Sequence, residues 1–276
     1  MGGLFLTNLS NFTNFTNFPN LSNLSTRQTL YRMNLCIDQG NSRTKVALFR
    51  EDGKLIKSFI YRSFHSTEVE RLFALYPISD SIISSVSNIE PAVVNSLNRL
   101  SKLFILFDHT TPIPIKNLYD TPQTLGQDRL AAAVGGNALM PDTNLLIIDA
   151  GSAITYDFVS ANNEYMGGNI APGIKMRLTV LRQMTKKLPQ VEVEENQLIP
   201  LFGKNTNDAI AAGVIRGIVF EVKGYMRTLG EKVDSFQTVI SGGSAPYIIN
   251  NLQQPVRTER HLVLIGLNRI LEYNKA

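Results

Sequence analysis

Apolar runs of four to seven residues, each closed by a cluster of turn residues, dominate the chain from residue 33 onward and are interrupted by segments of helical period. Residues 34–37 and 46–49 form two apolar runs around an eight-residue polar stretch, which predicts a β-hairpin. Glu51-Asp52-Gly53 is a further turn, and 54–60 reads as a third strand. A helix follows, with Ser66-Thr67 and Glu70 as caps, Val69, Leu72, Phe73 and Tyr76 as its buried face and Pro77 as its stop. Residues 81–86 read as a short buried strand, Pro91 opens a second helix through Val94, Leu97 and Leu100, and 103–107 is the next strand. After a loop through Pro112, Pro114 and 117–125, the Ala-rich stretch 130–139 is helical, so Gly126-Gln127-Asp128-Arg129 lies at a helix N-terminus.

From Asn144 the pattern restarts, with strands at 145–149, 154–159 and about 164–168 mirroring the first three. Residues 167–173 read as a tight glycine-rich loop entering a helix through Leu178, Leu181 and Met184. Residues 190–204 read as a loop or lid. Thr206 caps a long helix with Ile210, Val214, Ile218, Val222, Tyr225 and Leu229 at helical spacing, suited to a core or a subunit interface. A last strand at 236–240 runs into Ser241-Gly242-Gly243-Ser244, and 261–273 is a closing helix. Strand meanders joined by crossover helices predict mixed sheets with helices on their faces.

The polar stretch inside the first hairpin is Asp38-Gln39-Gly40-Asn41-Ser42-Arg43-Thr44-Lys45. Gly40 and Asn41 suit the positive φ of a tight turn, and their small side chains let backbone N–H groups approach an anion. Lys45 supplies charge for a β- or γ-phosphate, and Asp38 suits a hydrated metal ion or a water. An ordinary Gly-Asn turn fits this octapeptide equally well. A second copy, Asp149-Ala150-Gly151-Ser152-Ala153-Ile154-Thr155, sits between apolar runs in the same way. Two phosphate-type hairpins imply a duplicated unit with a nucleotide between the halves. Asp128, near a helix start, reads locally either as a first-turn acid favoured by the dipole or as a group beside N–H donors that receive a substrate anion.

Composition narrows the class. The 276 residues are 43% hydrophobic and 18% charged, enough for one large core or two modest ones. The net charge of +4 is spread along the chain, which favours an anionic ligand and does not suggest nucleic-acid binding. No apolar run approaches the roughly 18 residues of a membrane span, so a soluble protein without membrane contact is expected. The single cysteine, Cys36, excludes an internal disulfide, fits a reducing cytosol and reads as a buried hydrophobe. His65, His109 and His261 show no metal-ligand spacing. Residues 1–32 are a Phe/Leu, Asn, Ser/Thr repeat that is expected to be disordered and lacks the continuous apolar core of a secretory signal. Met33, directly before the first strand, is expected to be the true initiator.

Asp38 to Lys45, Gly126 to Arg129, Asp149 to Ser152, Gly167 to Gly173 and Gly242-Gly243, in this order, resemble the type III pantothenate kinases of the acetate kinase, sugar kinase, Hsp70 and actin superfamily. The resemblance runs from Met33 to the C-terminus. It implies an α/β fold of duplicated ribonuclease H-like, actin-like ATPase domains, each a mixed five-stranded sheet flanked by helices, with halves at 33–125 and 126–276. It implies ATP-dependent phosphorylation of pantothenate, the first step of coenzyme A biosynthesis, by a cytoplasmic homodimer. Asp128 matches the catalytic base. Asp38, Gln39, Gly40, Asn41, Ser42, Arg43, Thr44, Lys45 and Ser152 match ATP contacts. Tyr119, Gly126, Gln127, Arg129 and Thr206 join Asp128 as pantothenate contacts. Asp149 matches the ligand of an activating monovalent cation, potassium or ammonium, and magnesium is expected with ATP. Ser152 stands where the family usually has Thr, Gln127 replaces a commoner small residue, and Ser244 stands where Asp is frequent. The alternatives are another small-molecule kinase of the superfamily and a non-catalytic accessory factor for transcription.

Overall fold

The computed structural model describes residues 31–275, so the low-complexity segment 1–32 lies outside the described residues except for its last two. In chain order the elements are β1 (Met33–Gln39), β2 (Thr44–Arg50), β3 (Leu55–Tyr61), α1 (Ser66–Leu75), β4 (Ile78–Ser85), α2 (Pro91–Leu100), β5 (Leu103–Leu106) and β6 (Lys116–Asn117). Then come α3 (Gln127–Leu139), β7 (Leu145–Ala150), β8 (Ala153–Ser160), β9 (Glu164–Pro172), α4 (Ile174–Met184), α5 (Thr206–Gly230), β10 (Gln237–Ser241), α6 (Ala245–Leu252), β11 (Arg257–Thr258) and α7 (Leu262–Tyr273).

Two sheets result. The first has the order β3-β2-β1-β4-β5, and the second β11-β10-β7-β8-β9-β6. Reading the second from β9 to β11 reproduces the first strand for strand: two antiparallel pairs, then two parallel ones. This is the duplicated ribonuclease H-like arrangement. Each central strand is apolar on both faces because helices cover both sides. On β7, Leu145 and Ile147 face one core while Leu146 and Ile148 face another. On β1, Cys36 and Leu35/Ile37 divide in the same way.

The shared core lies between the sheets and is built on α3 and α7. Ala131, Ala132 and Ala133 of α3, with Leu262, Leu267 and Ile270 of α7, meet Phe49 from the first sheet and Leu145 and Val239 from the second. The two helices touch backbone to backbone. A Cβ on Gly266 would stand 1.8 Å from the Ala131 carbonyl oxygen, and one on Gly135 2.2 Å from that of Leu262. Polar contacts fasten the end of α7 to the first sheet: Asn34 Nδ2 donates to Asn268 Oδ1 at 2.8 Å, and Lys275 pairs with Asp80 at 3.1 Å.

Several details differ from the expectations. The second sheet has six strands, because β6 adds parallel to β9 through Lys116↔Glu164 and Asn117↔Tyr165. A two-residue strand after two prolines shows no period-2 signal. β6 also precedes residue 126 yet belongs to the second sheet, while α7 packs on β1 and β4 of the first. The strand expected at about 164–168 runs on to Pro172, so 167–172 is strand, not loop; pairing with β8 outweighs the weak strand preference of its glycines, and Gly167 takes φ +119 at an irregularity of register. Helix α1 is capped by His65, whose N–H donates to Glu68 at 2.9 Å, and Glu70 instead meets Arg99. Asn205, not Thr206, caps α5, its side chain accepting from the Asp208 N–H at 2.9 Å.

Candidate functional site

The two hairpins end their first strands in the same way. On β1 and β2, Asp38 stands directly opposite Lys45, and on β7 and β8, Asp149 stands opposite Thr155. The first turn is closed by the Gly40 N–H donating to the Arg43 carbonyl at 3.2 Å, and Asn41, Ser42 and Arg43 are exposed. Neither Gly40 nor Asn41 adopts positive φ, contrary to expectation, because a four-residue loop closes without it. Gln39 bonds to Ser87 and Asn88 beyond β4, and Thr44 is buried at the root of β2. In the second turn Ser152 is exposed, and its carbonyl accepts from the Gly173 N–H at 3.1 Å. Gly242, at φ +91, packs against this hairpin so closely that a Cβ would lie 2.5 Å from Asp149 Oδ1.

Asp128 enters from a third direction. Gly126 caps α3, Gln127 opens it half-buried, and Asp128 Oδ1 accepts from the Arg129 N–H at 2.8 Å. A Cβ on Gly126 would meet that same carboxylate oxygen at 2.6 Å, so only glycine lets Asp128 hold this position.

These charges share one environment. Burial pushes the Asp38 carboxyl up to about 6, with Lys45 opposing and the charges of Asp128 and Asp149 adding to the rise. Burial likewise raises Asp149, opposed by Lys45 and reinforced by Asp128 and Asp157. Asp38 is only 8% exposed and has one long contact, from Ser84 Oγ at 3.4 Å. Three carboxylates around one lysine favour the approach of cations. Asp149 Oδ1 and Thr155 Oγ1, on facing residues of β7 and β8, are buried without a hydrogen-bond partner among the described residues. Such oxygens fit a hard, oxygen-ligated cation. Among the described residues no three His, Cys, Asp or Glu side chains form a ready-made metal cage. That suits magnesium, which is commonly held by one or two carboxylates together with substrate phosphates.

The next residue, Arg129, is anchored to β8. It is buried, its Nε and Nη2 donate to Asp157 Oδ1 at 3.0 and 2.6 Å, and its guanidinium carbon lies 5.7 Å from the centre of the Tyr119 ring. Thr206 is not drawn into this group. It lines a separate cavity of about 530 Å³ with Leu181, Leu188 and Lys204. A second cavity, about 440 Å³, lies beyond β4 among Ser85, Asn88, Leu106 and Phe107. Asp157, Tyr165, Thr155 and Ser84 escaped the sequence reading. One signal was available for Asp157: a lone carboxylate inside the otherwise apolar run 156–159 needs a partner in the core.

The family model described as type III pantothenate kinase matches residues 34–228. A protein named type III pantothenate kinase from Phocaeicola vulgatus is 44% identical over 243 residues, covering 88% of this chain and 99% of the relative. Another of the same name, from Porphyromonas gingivalis, is 38% identical over 242 residues, covering 87% and 98%. Among solved structures, one described as a Baf family transcriptional activator from Campylobacter jejuni superposes with a TM-score of 0.59 at 23% identity, covering 87% of this chain and 98% of that one. The activator of 2-hydroxyisocaproyl-CoA dehydratase from Clostridium difficile, with bound ADPNP, gives 0.52 at 11% identity, with coverage of 87% and 94%. At these identities the structures speak for the fold alone. The family model and the relatives, each matched over most of the chain, decide the matter: this chain belongs to the type III pantothenate kinase family.

Proposed function

We propose that the protein transfers the γ-phosphoryl group of ATP to the primary hydroxyl of pantothenate, giving 4'-phosphopantothenate at the first step of coenzyme A biosynthesis. The observation that carries this reading is the grouping, in one electrostatic neighbourhood, of Asp38 and Lys45 on one hairpin, Asp149 on its equivalent and Asp128 at the start of α3. In the proposed complex the triphosphate lies between the hairpins, against the exposed turn residues 41–43 and 152. Lys45 stabilises charge on the transferring group. The substrate hydroxyl approaches in line and Asp128 accepts its proton as the new O–P bond forms. The bond from the γ-phosphorus to the β–γ bridging oxygen breaks, and ADP leaves with that electron pair. Gly126, Gln127, Arg129 and Tyr119 orient pantothenate beside Asp128.

The monovalent-cation site is inferred from the orphaned oxygens of Asp149 and Thr155, and the magnesium site from the buried Asp38 carboxylate. Asp38 would hold the magnesium that travels with ATP, and Asp149 with Thr155 would hold potassium or ammonium. Bound there, both cations supply positive charge against the triphosphate. A homodimer is proposed from the exposed apolar side chains Ile170, Met184, Leu198, Phe202 and Phe220, carried on β9, α4, the 190–204 segment and α5. In such a dimer Thr206, distant from Asp128 within one chain, lies near the subunit boundary. Among the described residues no helix is long and apolar enough to cross a membrane. The cytoplasm is proposed as the site of the reaction because the family is one of metabolic kinases.

The direct test is ADP release by the purified protein with and without pantothenate, in potassium and in sodium. ADP formation is expected to require pantothenate and to run faster in potassium. Turnover of a sugar or of acetate instead would move the assignment to another small-molecule kinase. Absence of turnover with any acceptor would favour an accessory factor.

A further inference from the structure

The geometry points to Asp157 as a positioning residue for the phosphoryl acceptor, acting through Arg129 and held in place by Tyr165; this rests on the reading of Arg129 as a substrate contact. Arg129 follows Asp128 in the first turn of α3, and its backbone N–H already holds the Asp128 carboxylate. Its guanidinium is fixed along one edge. Nε and Nη2 converge on the single oxygen Asp157 Oδ1, which also accepts from the Tyr165 hydroxyl at 2.7 Å. Asp157 and Tyr165 are fully buried and Arg129 is 6% exposed, so water does not compete for these bonds.

The surrounding backbone is shaped to admit this cluster. Gly168 faces Asp157 across β8 and β9, where a Cβ would stand 2.3 Å from Asp157 Oδ1 and 2.8 Å from Arg129 Nη2. Tyr119 closes the cluster, with its ring 5.7 Å from the guanidinium carbon and 6.2 Å from the Tyr165 ring. The guanidinium therefore has one allowed orientation. Nη1, the nitrogen that Asp157 does not engage, is the one we assign to substrate, beside the Tyr119 side chain.

A buried ion pair is weak evidence for stability, since an apolar replacement of similar volume is often as stable. Placed one residue from the proposed base, the same pair has a second use: it sets the direction of a charged donor before substrate arrives. Misplacing such a donor costs on the order of a hundredfold.

Steady-state kinetics of Asp157→Asn, Arg129→Gln, the double variant and Tyr165→Phe test this, with KM measured separately for pantothenate and ATP. Asp157→Asn is expected to raise KM for pantothenate by about tenfold to a hundredfold. KM for ATP should stay within about twofold, because Arg129 is assigned to the acceptor and not to the nucleotide. In the Arg129→Gln background, Asp157→Asn should add nothing further, as required of a residue acting through Arg129. Tyr165→Phe removes only the buttressing hydroxyl and should raise KM for pantothenate by about twofold to tenfold. This milder change decides the matter if Asp157→Asn does not fold. Unchanged pantothenate KM in Tyr165→Phe or Asp157→Asn, additive effects in the double variant, or equal changes for both substrates would overturn the inference. Failure of the wild-type protein to phosphorylate pantothenate would instead remove the functional reading beneath it.

Discussion

Asp128→Asn lowers kcat by about 10²- to 10⁴-fold while KM for pantothenate stays within a few-fold. Asparagine has the size of aspartate and keeps an oxygen to accept from the Arg129 N–H, the bond that Asp128 makes at 2.8 Å. Helix α3 therefore starts as before and the acceptor site keeps its shape. What is lost is a group able to take the proton of the attacking hydroxyl. A loss confined to kcat is the signature of an interaction that matters only in the transition state. Near-normal turnover with intact pantothenate binding would remove Asp128 from the role of base.

Asp38→Asn has two large effects of opposite sign. Without nucleotide or divalent metal, the variant is expected to be more heat-stable than wild type at pH 7.5. With substrates present, it is expected to lose about a hundredfold or more in kcat/KM for ATP. The stability half follows from the Asp38 carboxyl, which burial and its acidic neighbours push up to about 6. An unfolded Asp titrates near 3.9. Below about pH 4 the group is protonated in both states and has no effect. Between about 4 and 6 the folded chain keeps a proton that the unfolded chain has given up, so a penalty on the folded state builds as pH rises. Above about 6 a constant penalty remains, of order 3 kcal/mol or less. Asparagine carries no charge and escapes it. The gap in Tm between variant and wild type, measured in EDTA, should thus open between pH 4 and 6.5 and reach several degrees. A gap that is constant over this range, or a less stable variant at pH 7.5, would show that Asp38 is not destabilised by its surroundings.

Such a trade is expected where a fold stores charge for a ligand. The fold holds Asp38, Asp149 and Asp128 near one another with Lys45 as the neighbouring cation, and Asp149 Oδ1 has no hydrogen-bond partner among the described residues. A core chosen for stability alone would not keep this arrangement. In the complex proposed above, bound cations and the lysine would turn the same acids into a site for a triphosphate.

What the sequence made legible has a physical pattern. Strands β1, β2, β7 and β8 were readable because they carry the apolar runs that flank the two Asp-x-Gly turns, and the repeat of that unit announced the duplicated sheets. Asp38, Lys45, Asp128 and Asp149 were readable because each sits in or beside a glycine turn, at a strand end or helix start. Strands β6 and β11 were not, since two residues carry no period. The extended state of 167–172 was hidden by glycines whose purpose is tertiary: Gly168 makes room for the Arg129–Asp157 pair. Arg129 itself was visible as a motif residue, but its partner lies 28 positions away on β8, and no local pattern joins the two. The separation of Thr206 from Asp128 is likewise a fact of three dimensions.

The most direct measurement is a crystal structure with a non-hydrolysable ATP analogue, magnesium, potassium and pantothenate. The expected density has the triphosphate between residues 38–45 and 149–152, with Lys45 on its terminal phosphates. The pantothenate hydroxyl should lie about 3 Å from the Asp128 carboxylate. Nucleotide bound instead in the cavity beside Thr206 or the one beside Asn88, with the three aspartates facing no phosphate, would contradict the assignment of this site.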